Sequence, residues 1–148
     1  MRFLIISGPN LNLLGRREPH IYGTVTLDQI HAYCRRVAEE LGVEIECFQS
    51  NHEGAIIDFL QANIDRANGA LLNPGGLTQY GVSLHDCIKA MPFPVIEIHL
   101  SNLHAREPWR GHSIIAPAAR GTVMGLGWLV YPIALRGLVE LVRGTKPE

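Results

Sequence analysis

The residues best suited to proton transfer are Glu97 and His99, two apart in the apolar run Pro94-Val95-Ile96-Glu97-Ile98-His99. If that run is a strand, both side chains leave the same face, roughly 7 Å apart along the backbone. A carboxylate so placed can orient an imidazole, and an unpaired charge in an apolar strand is costly, so the histidine is its natural partner. His99 is therefore a candidate proton donor, although a structural ion pair at a strand end satisfies the same pattern. A second candidate is Tyr22, with Arg17 five residues earlier in the same segment. A phenol of pKa about 10 is too weakly ionised to act as a base near neutrality, unless neighbouring cations stabilise the phenolate. One or two guanidinium groups in a dry site could do so, but a loop Tyr and Arg also read as ordinary surface residues.

The elements that must position these groups follow from the apolar pattern. Phe3 to Ser7 is a short apolar run ended by Gly8-Pro9-Asn10, as expected of a strand covered on both faces. Thr26-Leu27-Asp28-Gln29 has capping-box spacing, and Leu27, Ile30, Cys34, Val37 and Leu41 mark one helical face up to a stop at Gly42. A strand is expected near Val43 to Phe48, then a helix from about Glu53 to Ala67 with Ile56, Ile57, Leu60 and Ile64 on its stripe. A strand at Ala70 to Asn73, a helix near Val82 to Ala90, a strand near Pro94 to His99, and a last strand and helix within Gly121 to Arg143 complete the series. Alternating strands and helices predict an α/β fold of the flavodoxin-like kind: a five-stranded parallel sheet in order 2-1-3-4-5, helices on both faces, and ligands outside the carboxyl ends of the strands. The loops after strands one, three and four carry the polar residues and should meet there.

Composition narrows the class. With 148 residues, 47% hydrophobic and 18% charged, the chain has the size and make-up of one globular domain, residues 1–148. A formal charge of −1 with no basic run argues against nucleic acid. Cys34, Cys47 and Cys87 are odd in number and widely spaced, so three reduced thiols are expected. The apolar stretch near Leu126 to Leu135 is broken by Gly127 and Pro132, too short for a membrane span. The N-terminal run is too short for a signal peptide, so a cytoplasmic location is expected. The segment Gly8 to Gly23, rich in hinge-like Gly and Pro, suits a mobile lid over about 11–24.

Several words are long and chemically unusual: Gly8-Pro9-Asn10-Leu11-Asn12-Leu13-Leu14-Gly15, Arg17-Glu18-Pro19, Ile21-Tyr22-Gly23, Phe48-Gln49-Ser50-Asn51-His52-Glu53-Gly54, Asn73-Pro74-Gly75, and Glu97-Ile98-His99-Leu100-Ser101-Asn102-Leu103-His104-Ala105-Arg106-Glu107. Together, in this order and over nearly the whole chain, they resemble type II 3-dehydroquinate dehydratase. The resemblance implies anti elimination of water from 3-dehydroquinate to 3-dehydroshikimate through an enolate, with no metal and no organic cofactor. It makes Tyr22 the base at C2, with Arg17 holding it as phenolate. His99 becomes the acid at the C1 hydroxyl, with Glu97 keeping its ring charged and oriented. Asn10 helps hold a water against the enolate oxygen. Asn73, with the adjoining Gly75 turn, Leu100 and Ser101 receive the substrate carboxylate. Arg110 contacts a substrate hydroxyl, and Arg106 is a second arginine near the tyrosine. Asp86 reaches a neighbouring subunit's site, as in a homododecamer built as a tetramer of trimers. The same reaction serves aromatic (chorismate) biosynthesis through the shikimate pathway and quinate catabolism.

One departure stands out. Where that family usually has a histidine contacting a ring hydroxyl, in a turn Thr-His-Thr-Ser, this chain has Thr78-Gln79-Tyr80-Gly81. Gln79 can donate and accept hydrogen bonds but cannot become cationic. A weakly active or altered-specificity paralogue acting on a related polyhydroxy cyclohexane acid is therefore the main alternative. A non-enzymatic flavodoxin-like module lacks the acidic residues or phosphate-cradling loop it needs after strand one. A metal site from Glu97, His99, His104 and His112 lacks a helix pair of ligands, and Cys87 sits within a predicted helix rather than on a nucleophile elbow.

Overall fold

The computed structural model describes the backbone of residues 1–148 and every side chain except that of Tyr22. In chain order its elements are β1 (Arg2–Ser7), the short α1 (Pro19–Tyr22), α2 (Leu27–Leu41), β2 (Glu44–Gln49), α3 (Glu53–Ala62), β3 (Gly69–Asn73), α4 (Val82–Ala90), β4 (Val95–His99), β5 (Gly121–Met124) and α5 (Val130–Arg143). The strands form one parallel sheet in the order β2-β1-β3-β4-β5.

Strand parity assigns the two faces. Phe3 and Ile5 of β1, Leu71 of β3 and Ile98 of β4 pack beneath α2 and α5, in a core that includes Ile30, Val37, Tyr131 and Leu135. Leu4, Ile6, Ala70, Leu72 and Val95 face the other way, against Ile56 and Leu60 of α3 and Leu84 and Ile88 of α4. Glu97 and His99 share the parity of Val95, so they project on the α3/α4 side of the sheet.

The helix boundaries have local causes. Thr26 accepts from the Gln29 backbone N–H at 3.2 Å, while the Gln29 side chain accepts from the Thr26 N–H at 2.9 Å, the expected reciprocal cap. Gly42 ends α2 at φ 68, a left-handed stop that costs glycine nothing. The helix expected to reach Ala67 ends instead at Ala62. The Asn63 side chain donates to the Phe59 carbonyl at 2.9 Å, the acceptor its own backbone N–H would use in a continuing helix, and that N–H turns to Leu60. Ile64 is thereby left exposed, off the apolar stripe. Pro132 is accommodated in the first turn of α5, where no intrahelical N–H is required. No helix among the described residues is long and apolar enough to cross a membrane.

The β1 loop and the β3 turn meet backbone to backbone. Gly8 N–H donates to the Asn73 carbonyl at 2.8 Å. A Cβ on Gly8 would lie 2.8 Å from the Pro74 carbonyl oxygen, and one on Gly75, at φ +57, would lie 2.9 Å from that of Pro9. These glycines permit the close approach that seats the two loops side by side at the point where strand order reverses.

Candidate functional site

The carboxyl ends of β1, β3 and β4 open into a cavity of about 180 Å³. Asn10 and Arg17 line it from the segment after β1, Asn73 and Gly75 from β3 and its turn, and His99, Leu100, Ser101, Arg106 and Arg110 from β4 and beyond. The sequence had singled out each of these residues. Leu11, Gly76, Leu103 and Trp109, which it had not, and Gln79, noted as a departure, complete the wall.

Glu97 lies behind the wall, with 0% of its surface exposed. Its Oε1 is 3.3 Å from His99 Nε2, ion-pair range but not aligned as a hydrogen bond. Ser113 Oγ donates to Oε1 at 2.6 Å and Thr122 Oγ1 to Oε2 at 3.2 Å. Burial alone would push this carboxyl up, but His99 and the two hydroxyl donors outweigh it and hold the group below its ordinary value of 4.5. Ser113 Oγ also accepts from the N–H groups of Ile115 and Ala116 at 3.1 and 3.0 Å, so the carboxylate anchors the loop before β5 as well as facing the imidazole. Sequence reasoning did not find Ser113 or Thr122. They lie 16 and 25 residues away; the β4–β5 pairing brings Thr122 beside Glu97, and the loop before β5 brings Ser113.

The Asn73 amide is held at both ends. Asn73 Oδ1 accepts from Gly75 N–H at 3.2 Å, and its Nδ2 donates to the Tyr131 hydroxyl at 3.3 Å. That hydroxyl also lies 2.9 Å from Ser7 Oγ. Burial pushes the Tyr131 phenol up to about 12, against the opposing effect of those two partners, so it stays neutral. Asn10 sits at φ 69, a left-handed conformation asparagine tolerates, and its N–H donates to Asn51 Oδ1 at 3.0 Å. Glu18 is also left-handed, at φ 39, just before Pro19 opens α1.

Positive charge dominates the cavity wall through Arg17, Arg106 and Arg110. Arg106 Nη1 donates to Ser101 Oγ at 3.3 Å, which leaves the serine's own proton to be given elsewhere. Arg110 pairs with Glu107 and lies over the Trp109 ring, with its Cζ 4.1 Å from the centroid. Such a site favours a small anion rich in hydroxyl groups, with one buried acid–base pair beside it.

One expected site residue stands apart. Asp86 lies on α4 with 74% of its side chain exposed, 3.8 Å from His85 and away from this cavity. The Tyr22 side chain lies outside the described residues, so its candidacy rests on the sequence. Among the described residues no group of three or more His, Cys, Asp and Glu could hold a metal ion. Cys34, Cys47 and Cys87 are free thiols.

A family model described as dehydroquinase class II matches residues 1–139. The 3-dehydroquinate dehydratase of Roseiflexus castenholzii is 52% identical over 147 residues, covering 99% of this chain and 93% of that protein. Catabolic 3-dehydroquinase 1 of Aspergillus fumigatus is 51% identical over 132 residues, covering 89% and 88%. In structure, a type II dehydroquinase from Butyrivibrio crossotus superposes with a TM-score of 0.91 at 37% identity, covering 93% of this chain and 97% of its own.

Proposed function

The chain belongs to the class II dehydroquinase family and is a hydro-lyase that dehydrates 3-dehydroquinate, and from that premise we propose that the cavity at the ends of β1, β3 and β4 runs the elimination in two proton transfers. The Tyr22 phenolate removes the C2 proton, and the C–H electron pair passes into the neighbouring ketone as an enolate. Asn10 steadies a water against the enolate oxygen. The enolate then collapses, the C1–O bond breaks, and His99 delivers its proton so that the hydroxyl leaves as water. The product is the conjugated enone 3-dehydroshikimate.

Binding follows the charge pattern. Asn73 beside the Gly75 turn, the Leu100 and Ser101 backbone N–H groups and the Ser101 hydroxyl receive the carboxylate, and Arg110 meets a ring hydroxyl. Arg17 and Arg106 favour the phenolate form of Tyr22. The segment of about 11–24 closes as a lid over a single catalytic domain of residues 1–148, no metal or organic cofactor takes part, and the enzyme works in the cytoplasm. Exposed Asp86 completes the site of a neighbouring subunit in a homododecamer, a tetramer of trimers.

The observation that carries this reading is the fully buried Glu97 facing His99 at the floor of an arginine-lined cavity. An elimination from an anionic hydroxy-ketone uses that combination, the arginines meeting the negative charge and the paired imidazole serving the departing hydroxyl. The test is to add 3-dehydroquinate and follow the ultraviolet absorbance of the enone. Tyr22→Phe is expected to lose nearly all turnover while still binding product; retained turnover excludes Tyr22 as the base.

A further inference from the structure

Gln79 is the last residue of the 3-10 turn Gly75–Gln79, on the cavity wall next to the Pro108–Gly111 turn that carries Arg110. Its Nε2 donates to the main-chain carbonyl of Arg110 at 3.1 Å. A second bond runs alongside, from Ile114 N–H to the Thr78 carbonyl at 2.9 Å. These two contacts tie the β3 turn to the segment after β4 at the edge of the cavity. The amide orientation is forced, because a carbonyl can only accept, so Nε2 must face Arg110 and Oε1 must face away. Oε1 is shut off from solvent and has no hydrogen-bond partner among the described residues. One of the two Nε2 N–H groups is thus engaged by protein, and the acceptor of the side chain offers no surface to a ligand in the cavity.

What the contact holds is a guanidinium on a long stem, borne by a four-residue turn. The Arg110 side chain is fixed by the Trp109 face and the Glu107 carboxylate, both on that same turn. Those contacts orient the guanidinium within its own turn, but they do not set the turn's distance from β3. The Gln79 bond does, together with the Ile114–Thr78 bond beside it. We propose that Gln79 is a positioning residue, acting on substrate binding through Arg110. This rests on the reading that Arg110 contacts substrate, and it gives the departure Thr78-Gln79-Tyr80-Gly81 a physical role.

The test is a double-mutant cycle on 3-dehydroquinate turnover with Gln79→Glu, Gln79→Met, Arg110→Ala and the two double variants. Gln79→Glu keeps an acceptor and removes the donor, and Gln79→Met removes both at similar length. Each is expected to raise KM about tenfold while changing kcat less than about threefold, since an orienting bond is lost and the reacting groups are not. In the Arg110→Ala background the same changes should add less than about twofold in KM. Thermal melts of each variant separate misfolding from this effect, and either Gln79 variant that folds suffices. Multiplying effects in active protein, a Gln79→Glu variant that binds like wild type, or an Arg110→Ala variant with unchanged KM overturns the inference alone. Wild-type protein that leaves 3-dehydroquinate unchanged overturns the dehydratase reading, and the inference with it.

Discussion

Replacing Glu97 tests whether a buried carboxylate both orients His99 and locks the loop before β5. In Glu97→Ala the Ser113 and Thr122 hydroxyls lose their acceptor and His99 loses its facing charge. Breaking a buried pair by removing one partner costs about 3–5 kcal/mol. In Glu97→Gln the shape survives and both hydroxyls can still be satisfied, so only charge assistance goes, about 1 kcal/mol for each of two hydrogen bonds. The smaller desolvation of a neutral amide offsets part of that, leaving a net cost of about 1–2 kcal/mol. The pH dependence has a definite sign. Because the folded-state value is held below 4.5, the ionised group contributes stability above that pH, and the contribution is lost as pH falls through the folded value. The gap between wild type and Glu97→Gln should therefore be fully open near neutrality and close in acid, below 4.5. Urea denaturation of the three proteins, repeated from about pH 7 downward, reads this directly. The kcat of Glu97→Gln should also fall at least about tenfold, because the imidazole loses its orienting charge. An alanine variant within about 0.5 kcal/mol of wild type at neutral pH, or a glutamine gap that does not close in acid, refutes the reasoning.

Other outcomes follow from the same geometry. Tyr131→Phe removes the hydroxyl shared by Ser7 and Asn73; a stability loss of about 1–3 kcal/mol in urea is expected, with a raised KM as Asn73 loosens. Gly8→Ala and Gly75→Ala force a Cβ to within 3 Å of a backbone oxygen, so each should cost about 2 kcal/mol or more and weaken substrate binding; calorimetry on either variant checks this. Burial pushes the thiols of Cys34 and Cys47 up to about 12 and about 11. Both should react with a disulfide reagent at least about a hundredfold more slowly in folded than in urea-unfolded protein.

Much of this protein could be read along the chain. The Thr26–Gln29 cap, the glycine stop at position 42 and the stripe of Leu27, Ile30, Cys34 and Val37 are local patterns. Their geometry is fixed by neighbours three or four residues away. The period of two in β4 likewise puts Glu97 and His99 on one face before any fold is considered. The end of α3 is not legible in this way, because the apolar period runs on through Ile64 while a side-chain bond from Asn63 to Phe59 takes the acceptor a continuing helix would use.

The elements, their alternation, the parallel sheet they imply and the polar loops where chemistry gathers are thus legible along the chain. Which distant groups complete those loops emerges only from the folded chain: Ser113 and Thr122 on Glu97, Tyr131 between Ser7 and Asn73, and Gln79 on the Arg110 carbonyl. The physical reason is range. Helix and strand periods are set by bonds between near neighbours, whereas these contacts join residues 16 to 124 apart. Such residues have no common signal in the chain until strand order and close glycine packing set their positions.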